Sequence, residues 1–297
     1  MSRTRTGLWS GAILTDKAEV RFDSGTLQRF AVEGVRPSAV VWPQSEEELS
    51  QWLREAHRQQ AKVLVWGEGE LMHIGGTPEP FDLAICTARL KRVLDFDPEN
   101  LTVSVEAGMT LRELQALVRG RNLWLPLDPP VSGSATLGGI VAANAFGPRR
   151  QLYGGVRDLL LGCRAVLADG TVVKAGGKTV KNVAGYDLTK LFVGSLGSIG
   201  MLSALTLRLS PLAESARTVL AVFPKREDCC KAAAAMARSP LCPAAVEVIS
   251  SGALNRLAMP ELSGSADAHH LAVLFEGKRQ VVAAVTRSAE AELRSTA

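Results

Sequence analysis

At 297 residues, with 46% hydrophobic and 22% charged side chains, the chain has the composition of a soluble globular protein and the length for two domains. Its formal charge is only +4, and no Lys/Arg cluster is interleaved with aromatics, which argues against a nucleic-acid partner. The five cysteines (Cys86, Cys163, Cys229, Cys230 and Cys242) are odd in number and lack CxxC spacing, so free thiols in a reducing compartment are expected rather than a zinc or iron–sulfur site.

The N-terminus carries Arg3 and Arg5 but no apolar signal core, and no window approaches the ~20 apolar residues of a membrane span. A cytoplasmic protein is the expectation. Residues 1–35 read as an N-terminal extension with an edge strand at 17–22. From Ala39 the pattern sharpens. Val40, Val41 and Trp42 form a strand ended by Pro43. Ser45 and Glu48 make a capping box, and Leu49, Trp52, Leu53 and Ala56 recur at helical spacing behind it. Residues 62–66 are a second apolar strand, so the segment predicts a βαβ unit with a parallel pair.

That strand runs into GEGELMHIGG at 67–76, whose glycines mark a tight exposed loop that a backbone-held ligand can use. A purely structural glycine turn is the alternative. The loop is not a Rossmann fingerprint, because Gly75-Gly76-Thr77-Pro78 breaks any following helix, and no P-loop GK[ST] exists. Leu83–Cys86 is a third strand, and Val93–Asp97 pairs with 101–106 across Pro98-Glu99-Asn100 as a hairpin. Thr110 and Glu113 cap a helix with Leu111, Leu114, Leu117 and Val118 facing inward and Gly120 near its end.

The stretch PLDPPVSGSATLGGIVAAN at 126–144 follows. It narrows to small residues at Ser132, Gly133, Ser134 and Ala135 and then opens a short apolar helix at Gly138-Gly139. Small residues there let backbone N–H groups approach a ligand, and a helix start favours negative charge, which predicts a diphosphate loop. A hairpin at 160–167 and 171–174 is joined by Ala168-Asp169-Gly170. A third glycine region, from Gly176-Gly177-Lys178 through Asn182 and Gly185-Tyr186-Asp187 to Gly194, Gly197 and Gly200, leads into a strand from Met201 to Leu209. Three such loops together imply one extended ligand.

After Pro211 the composition changes. Strands are expected at 219–223, 245–249 and 271–275, and helices at 225–237, 251–258 and 278–294, so a smaller α+β domain is predicted. The expected domains are 1–35, 36–212 and 213–297, with an unclosed sheet edge in the last that invites pairing with another chain.

The motifs GEGELMHIGG at 67–76, VSGSATLGGIVAANAFGPRRQLYGGVRDLLLG at 131–162 and GGKTVKNVAGYDLTKLFVGSLGSIG at 176–200 resemble the FAD-binding domain of the vanillyl-alcohol oxidase/PCMH family of flavoproteins. Within that family they are similar to the FAD-binding subunits of bacterial glycolate oxidases. The resemblance covers roughly 36–211. It implies an α+β fold in which two α/β subdomains grip FAD, followed by a small, truncated-looking ferredoxin-like cap.

It further implies that the backbone of Gly67, Glu68, Gly69, Glu70, Leu71 and Met72 and that of Ser134, Ala135, Thr136, Gly138 and Gly139 hold the pyrophosphate. Pro129 joins the cofactor set, Ala142 and Asn144 lie toward the flavin, and Gly197, Gly200 and Met201 lie along the adenosine half. Lys181, Tyr186 and Asp187 approach the isoalloxazine edge. The chain departs from the pattern at Glu68, where a glycine is usual, and at Glu70, where Ser or Thr is usual. Each carboxylate repels a phosphate charge by about 1 kcal/mol at ~4 Å in water.

No general base is evident. His269-His270 lacks the glycine-acidic context of the HxGDGN-like motif of related 2-hydroxy-acid dehydrogenases and reads as a surface or strand-edge pair, and His73 reads as a solvated loop residue. No Ser/His/Asp order or metal-ligand spacing stands out. The resemblance implies an FAD-binding subunit of a glycolate (2-hydroxy acid) oxidase complex, beside a catalytic flavoprotein subunit and an iron–sulfur subunit, peripheral to the inner membrane through those partners. A structural subunit that has lost FAD and a stand-alone FAD-dependent 2-hydroxy acid oxidoreductase are the alternatives.

Overall fold

The computed structural model describes residues 18–130, 133–177, 187–256 and 268–296. Ser132, Lys178, Lys181, Asn182, Gly185 and Tyr186, all singled out above, lie outside the described residues.

The first sheet is built from β1 (Glu19–Arg21), β2 (Ala39–Trp42), β3 (Val63–Trp66) and β4 (Leu83–Cys86). A short helix, α1 (Ser24–Arg29), was not foreseen. The Asp23 carboxylate caps it, accepting from the Thr26 N–H at 2.9 Å. Helix α2 (Glu46–Arg58) joins β2 to β3. The strand order is β1-β2-β4-β3, with β1 antiparallel to β2, and β2 and β3 each parallel to β4. The parallel pair expected between 40–42 and 62–66 is therefore not formed directly, because β4 lies between them. All four β4 residues are buried, which suits LAIC to a strand covered on both faces.

The predicted cap of α2 is present in a shifted form. Ser45 Oγ accepts from the Glu48 N–H at 3.2 Å, and the Glu48 carboxylate accepts from the Gln44 N–H at 2.9 Å. The inward face of α2, formed by Leu49, Trp52, Leu53 and Ala56, packs with Val41, Ile85, Val166 and Met201 in one core.

The next elements are β5 (Val93–Asp97), β6 (Thr102–Glu106), α3 (Leu111–Arg119), β7 (Leu123–Trp124), α4 (Leu137–Ala143), α5 (Arg150–Tyr153), α6 (Val156–Leu159), β8 (Leu160–Val166), β9 (Val172–Gly176), α7 (Thr189–Phe192), β10 (Met201–Arg208) and β11 (Ser210–Pro211). Five of these strands form an antiparallel sheet in the order β5-β6-β10-β8-β9. Both predicted hairpins are in it, separated by the late strand β10. Helix α2 is tied to this sheet as well. Arg164 on β8 grips the Glu46 carboxylate, with its Nε 2.9 Å from Oε2, and Ser203 on β10 donates to the same Oε2 at 2.5 Å. Ser50 Oγ donates to the Gly170 carbonyl at 2.5 Å.

The last segment comprises β12 (Ser215–Phe223), α8 (Arg226–Ala237), β13 (Ala245–Ser250), α9 (Ser251–Arg256), β14 (His269–Gly277) and α10 (Arg279–Thr296). Its antiparallel sheet has the order β12-β14-β13. Leu271, Val273 and Phe275 face Cys229, Ala232 and Met236 of α8 and Val282, Ala289 and Leu293 of α10. A ferredoxin-like unit has four strands, and three are present among the described residues, so the ferredoxin-like assignment of the cap gains no support from strand count.

His270 corrects another expectation. It is 0% exposed, not a surface or edge residue, and neither ring nitrogen has a hydrogen-bond partner among the described residues. It alternates with Leu271 and so lies on the β14 face that carries Glu276.

The chain divides into two compact units. The first comprises the described residues of Met1–Leu125, Pro129–Ala145 and Val156–Ser210, and the second those of Pro126–Asp128, Phe146–Gly155 and Pro211–Ala297. Besides the C-terminal segment, the second unit takes in two short pieces that the sequence places with the first domain. A charge cluster secures them. Arg149 donates to both Glu276 oxygens, at 3.0 Å and 2.7 Å, and sits 3.7 Å from Asp128. Burial, and then the Glu276 charge, push Tyr153 up to about 12.

Two stability effects follow. Leu49→Ala empties a fully buried site between α2 and the sheets and is expected to cost about 3 kcal/mol in urea denaturation. Glu276→Gln removes a carboxylate that is 5% exposed from its bidentate arginine, for an expected loss of about 2 kcal/mol. The same change should lower the Tyr153 pKa in a spectrophotometric titration.

Candidate functional site

Three loops of the first unit converge on one cleft of about 400 Å³. The first leaves β3 at Gly67. Its start is anchored from below, where Cys86 Sγ donates to the Gly67 carbonyl at 3.3 Å and Thr87 Oγ1 donates to the Trp66 carbonyl at 3.4 Å. Burial pushes the Cys86 thiol up to about 11, so it stays protonated and acts as a donor. Further along, the Ile74 N–H closes a turn onto the Leu71 carbonyl at 3.1 Å. The N–H groups of Glu68, Gly69, Leu71 and Met72 have no acceptor among the described residues.

The second loop is strapped to the start of α3. The Leu111 and Arg112 N–H groups donate to the Ala135 and Gly133 carbonyls, each at 3.0 Å. Thr136 then caps α4, accepting from the Gly139 N–H at 3.2 Å. The Leu137 N–H goes to the Met109 carbonyl and the Gly138 N–H to the Ala107 carbonyl, both at 2.8 Å. The sequence suggested that the opening of this helix offers its amides to an anion. The first three helical amides are instead committed to protein acceptors, which fix the helix in place. The third loop closes the other end, with the Gly194 N–H on the Val141 carbonyl at 3.1 Å and the Leu196 N–H on the Ala142 carbonyl at 2.8 Å.

Backbone proximity defines the cleft. A methyl group built on Gly67 would overlap the Thr136 hydroxyl, and one on Gly138 would lie 3.0 Å from the Ala107 carbonyl oxygen. The first two loops also touch through side chains, since Ser134 Oγ donates to Glu70 Oε1 at 2.8 Å.

Most of the anticipated cofactor residues meet here. Gly67, Glu68, Gly69, Glu70, Leu71, Met72, Ala135, Thr136, Gly138, Gly139, Ala142, Gly197 and Gly200 all line the cleft. Ser134 reaches it through Glu70. Pro129 is buried away from the lining, and Asn144 caps α4 in a left-handed conformation, φ 50°. The Met201 side chain is 1% exposed and belongs to the α2 core. Asp187 is held by Thr189 and Lys190 and does not line the cleft. His73 is exposed and lies outside the lining.

Sequence reasoning missed Val65, Ile74, Leu196 and Ser198, which supply aliphatic and hydroxyl surface. Leu196, at φ 51°, is the one with a signal, since it sits between two glycines in a loop that needs left-handed backbone. Among the described residues lining the cleft, the only charged side chains are Glu68 and Glu70. The Arg112 guanidinium lies against Gly133 of the second loop.

Residues 37–176 match the family model described as FAD binding domain, FAD_binding_4. The chain carries an FAD-binding domain of the PCMH type. It is 32% identical over 213 residues to the glycolate oxidase subunit GlcD of Bacillus subtilis, covering 72% of this chain and 45% of that protein. It is 35% identical over 235 residues to the D-lactate dehydrogenase of Archaeoglobus fulgidus, covering 79% and 52%. With the glycolate oxidase subunit GlcE of Escherichia coli it shares 39% identity over 120 residues, covering 40% and 34%. The chain thus spans about half the length, or less, of these relatives. A solved alkyldihydroxyacetonephosphate synthase has the same fold, with a TM-score of 0.79 at 19% identity over 100% of this chain and 60% of that one.

The residues fit FAD, the cofactor of this domain. The cleft offers unpaired amides in the first loop for a diphosphate, and small or aliphatic walls for the groups on either side. Gly67→Ala is expected to force the first two loops apart, costing on the order of 1–3 kcal/mol in urea denaturation and at least about tenfold in FAD affinity by flavin fluorescence titration. Adding Thr136→Ala, which clears the overlap, should recover part of both losses.

Proposed function

We propose that this chain is the FAD-binding subunit of a 2-hydroxy acid oxidase or dehydrogenase of the glycolate oxidase kind. The observation that carries this reading is the convergence of three sequence-distant loops on one cleft within and beside the segment matched to the FAD-binding family. The names of the relatives, two glycolate oxidase subunits and a D-lactate dehydrogenase, support the substrate class. When bound, FAD supplies the two-electron acceptor for a 2-hydroxy acid. The chain's own residues hold the cofactor through backbone amides of the first loop and exclude water with Val65, Ile74, Leu196 and α4.

A partner supplies what this cleft lacks. Among the described residues no histidine lines it, and the carboxylates in it belong to the diphosphate loop. A catalytic flavoprotein subunit is therefore assigned the base that takes the hydroxyl proton, and an iron–sulfur subunit passes the electrons onward. No helix among the described residues is long and apolar enough to cross a membrane. We place the assembly in the cytoplasm, at the inner membrane only through its partners.

The test is to purify the chain alone and with neighbouring subunits. Flavin absorbance is expected in both preparations. Turnover of glycolate or lactate with an artificial acceptor is expected only in the assembly. A colourless chain and assembly would favour a structural subunit without FAD, and turnover by the chain alone would point to a free-standing oxidase.

A further inference from the structure

Two neighbouring side chains at the end of β4 hold the carbonyls from which the first loop departs. Thr87 Oγ1 donates to the Trp66 carbonyl and Cys86 Sγ to the Gly67 carbonyl, and both residues are buried, at 5% and 2% exposed. The Ala88 N–H and the Trp42 side chain bond the same sulfur, which leaves the thiol proton for Gly67. In a planar trans peptide the C=O and the following N–H point in opposite directions, so a donor on the Gly67 carbonyl aims the Glu68 N–H the other way. That N–H is the first of the four loop amides, on Glu68, Gly69, Leu71 and Met72, that have no acceptor among the described residues. The turn carrying the two donors is braced from behind. The Thr87 carbonyl accepts from the Leu90 N–H at 2.8 Å, and the Leu90 carbonyl accepts from the Gly108 N–H at 2.9 Å. Contact there is so close that a methyl group on Gly108 would overlap the Thr87 carbonyl oxygen. Gly108 stands between Ala107 and Met109, whose carbonyls fix α4, so one stretch of backbone steadies the turn and the helix together.

We infer that Cys86 and Thr87 are positioning residues for the cofactor, clamping the Gly67 and Trp66 carbonyls so that the amides of the first loop face the diphosphate. The inference rests on the cofactor assignment above. The pair acts through the loop backbone, and although Thr87 lines the cleft, its hydroxyl is engaged with Trp66. Removing a donor lets a peptide plane turn, which loses preorganisation for the ligand more than it loses fold. What matters is the donated hydrogen bond, and this separates a clamp from two buried side chains that merely fill space.

The full chain is tested with two donor-deleting changes, each beside a control that keeps a donor. Affinity is read by flavin fluorescence titration, the setting of the diphosphate by phosphorus NMR of bound FAD, and folding by urea denaturation. Thr87→Val and Cys86→Ala are each expected to weaken FAD binding about fivefold, as loss of one ordering hydrogen bond implies, and to shift the phosphorus resonances. Thr87→Ser and Cys86→Ser should stay within about twofold of the wild type, with those resonances unmoved. If Cys86→Ala does not fold, the two Thr87 variants decide alone. Equal losses in the serine variants and the donor-free variants would make packing the cause and overturn the clamp. Wild-type affinity in a folded Thr87→Val variant would overturn it as well. If the wild-type chain and every variant are folded and none binds FAD, the cofactor assignment falls together with the clamp, a result distinct from the others.

Discussion

Backbone-to-backbone contact at the cleft is the constraint on which the rest of the site depends. Helix α4 is held to the end of β6 by two amide–carbonyl bonds of 2.8 Å, and the first loop is close enough to Thr136 that a single methyl group would collide. Such distances are open only to glycine. They place the three loops around one space, walled by main chain and aliphatic groups together with Trp66, Met72 and the carboxylates of Glu68 and Glu70. Donors in such a site do not rotate away, which preorganises it for an anion before any ligand arrives.

Rigidity behind the loops comes from α2, which belongs to two sheets at once. Its apolar face packs with residues of both, and its first turn is gripped by Arg164 and Ser203 from the antiparallel sheet. The loop at 67–76 leaves a strand of one sheet and the loop at 194–200 leads into a strand of the other, yet both line the cleft. The shared helix transmits the position of one sheet to the other. In the second unit a similar task falls to Arg149, which ties together pieces far apart in sequence through one buried carboxylate.

Local chemistry made much of this legible in the sequence. Capping residues located α2 and α3, turn residues located the hairpins β5–β6 and β8–β9, and glycine spacing located the three loops. What stayed hidden was decided by partners distant along the chain. Nothing within 83–86 says that this strand enters between β2 and β3, because a run of four buried residues suits any central position. The amides of α4 looked available because their acceptors, Ala107 and Met109, lie some thirty residues earlier. The resemblance puts Met201 along the adenosine half, but strand alternation turns its side chain into the core. His270 looked peripheral because a polar pair usually is, yet both faces of β14 are covered at its position.

The insertion of β4 between its neighbours has a further consequence for the first loop. Strands β3 and β4 are adjacent and point the same way, so the chain from Gly67 to Asp82 must travel back along the sheet before it can re-enter. Its glycine-rich half stays at the end where β3 stops, and the remainder, through Thr77, Pro78 and Pro80, is a return path with a length fixed by the strands it must pass. The ligand loop is therefore also a crossover, and its two halves obey different rules. The half facing the cleft tolerates no added side chain at Gly67, whereas the return half tolerates lengthening and resists shortening. A deletion there would not trim a surface loop but would pull β4 out of register with β3, unmaking the sheet on which the loop stands.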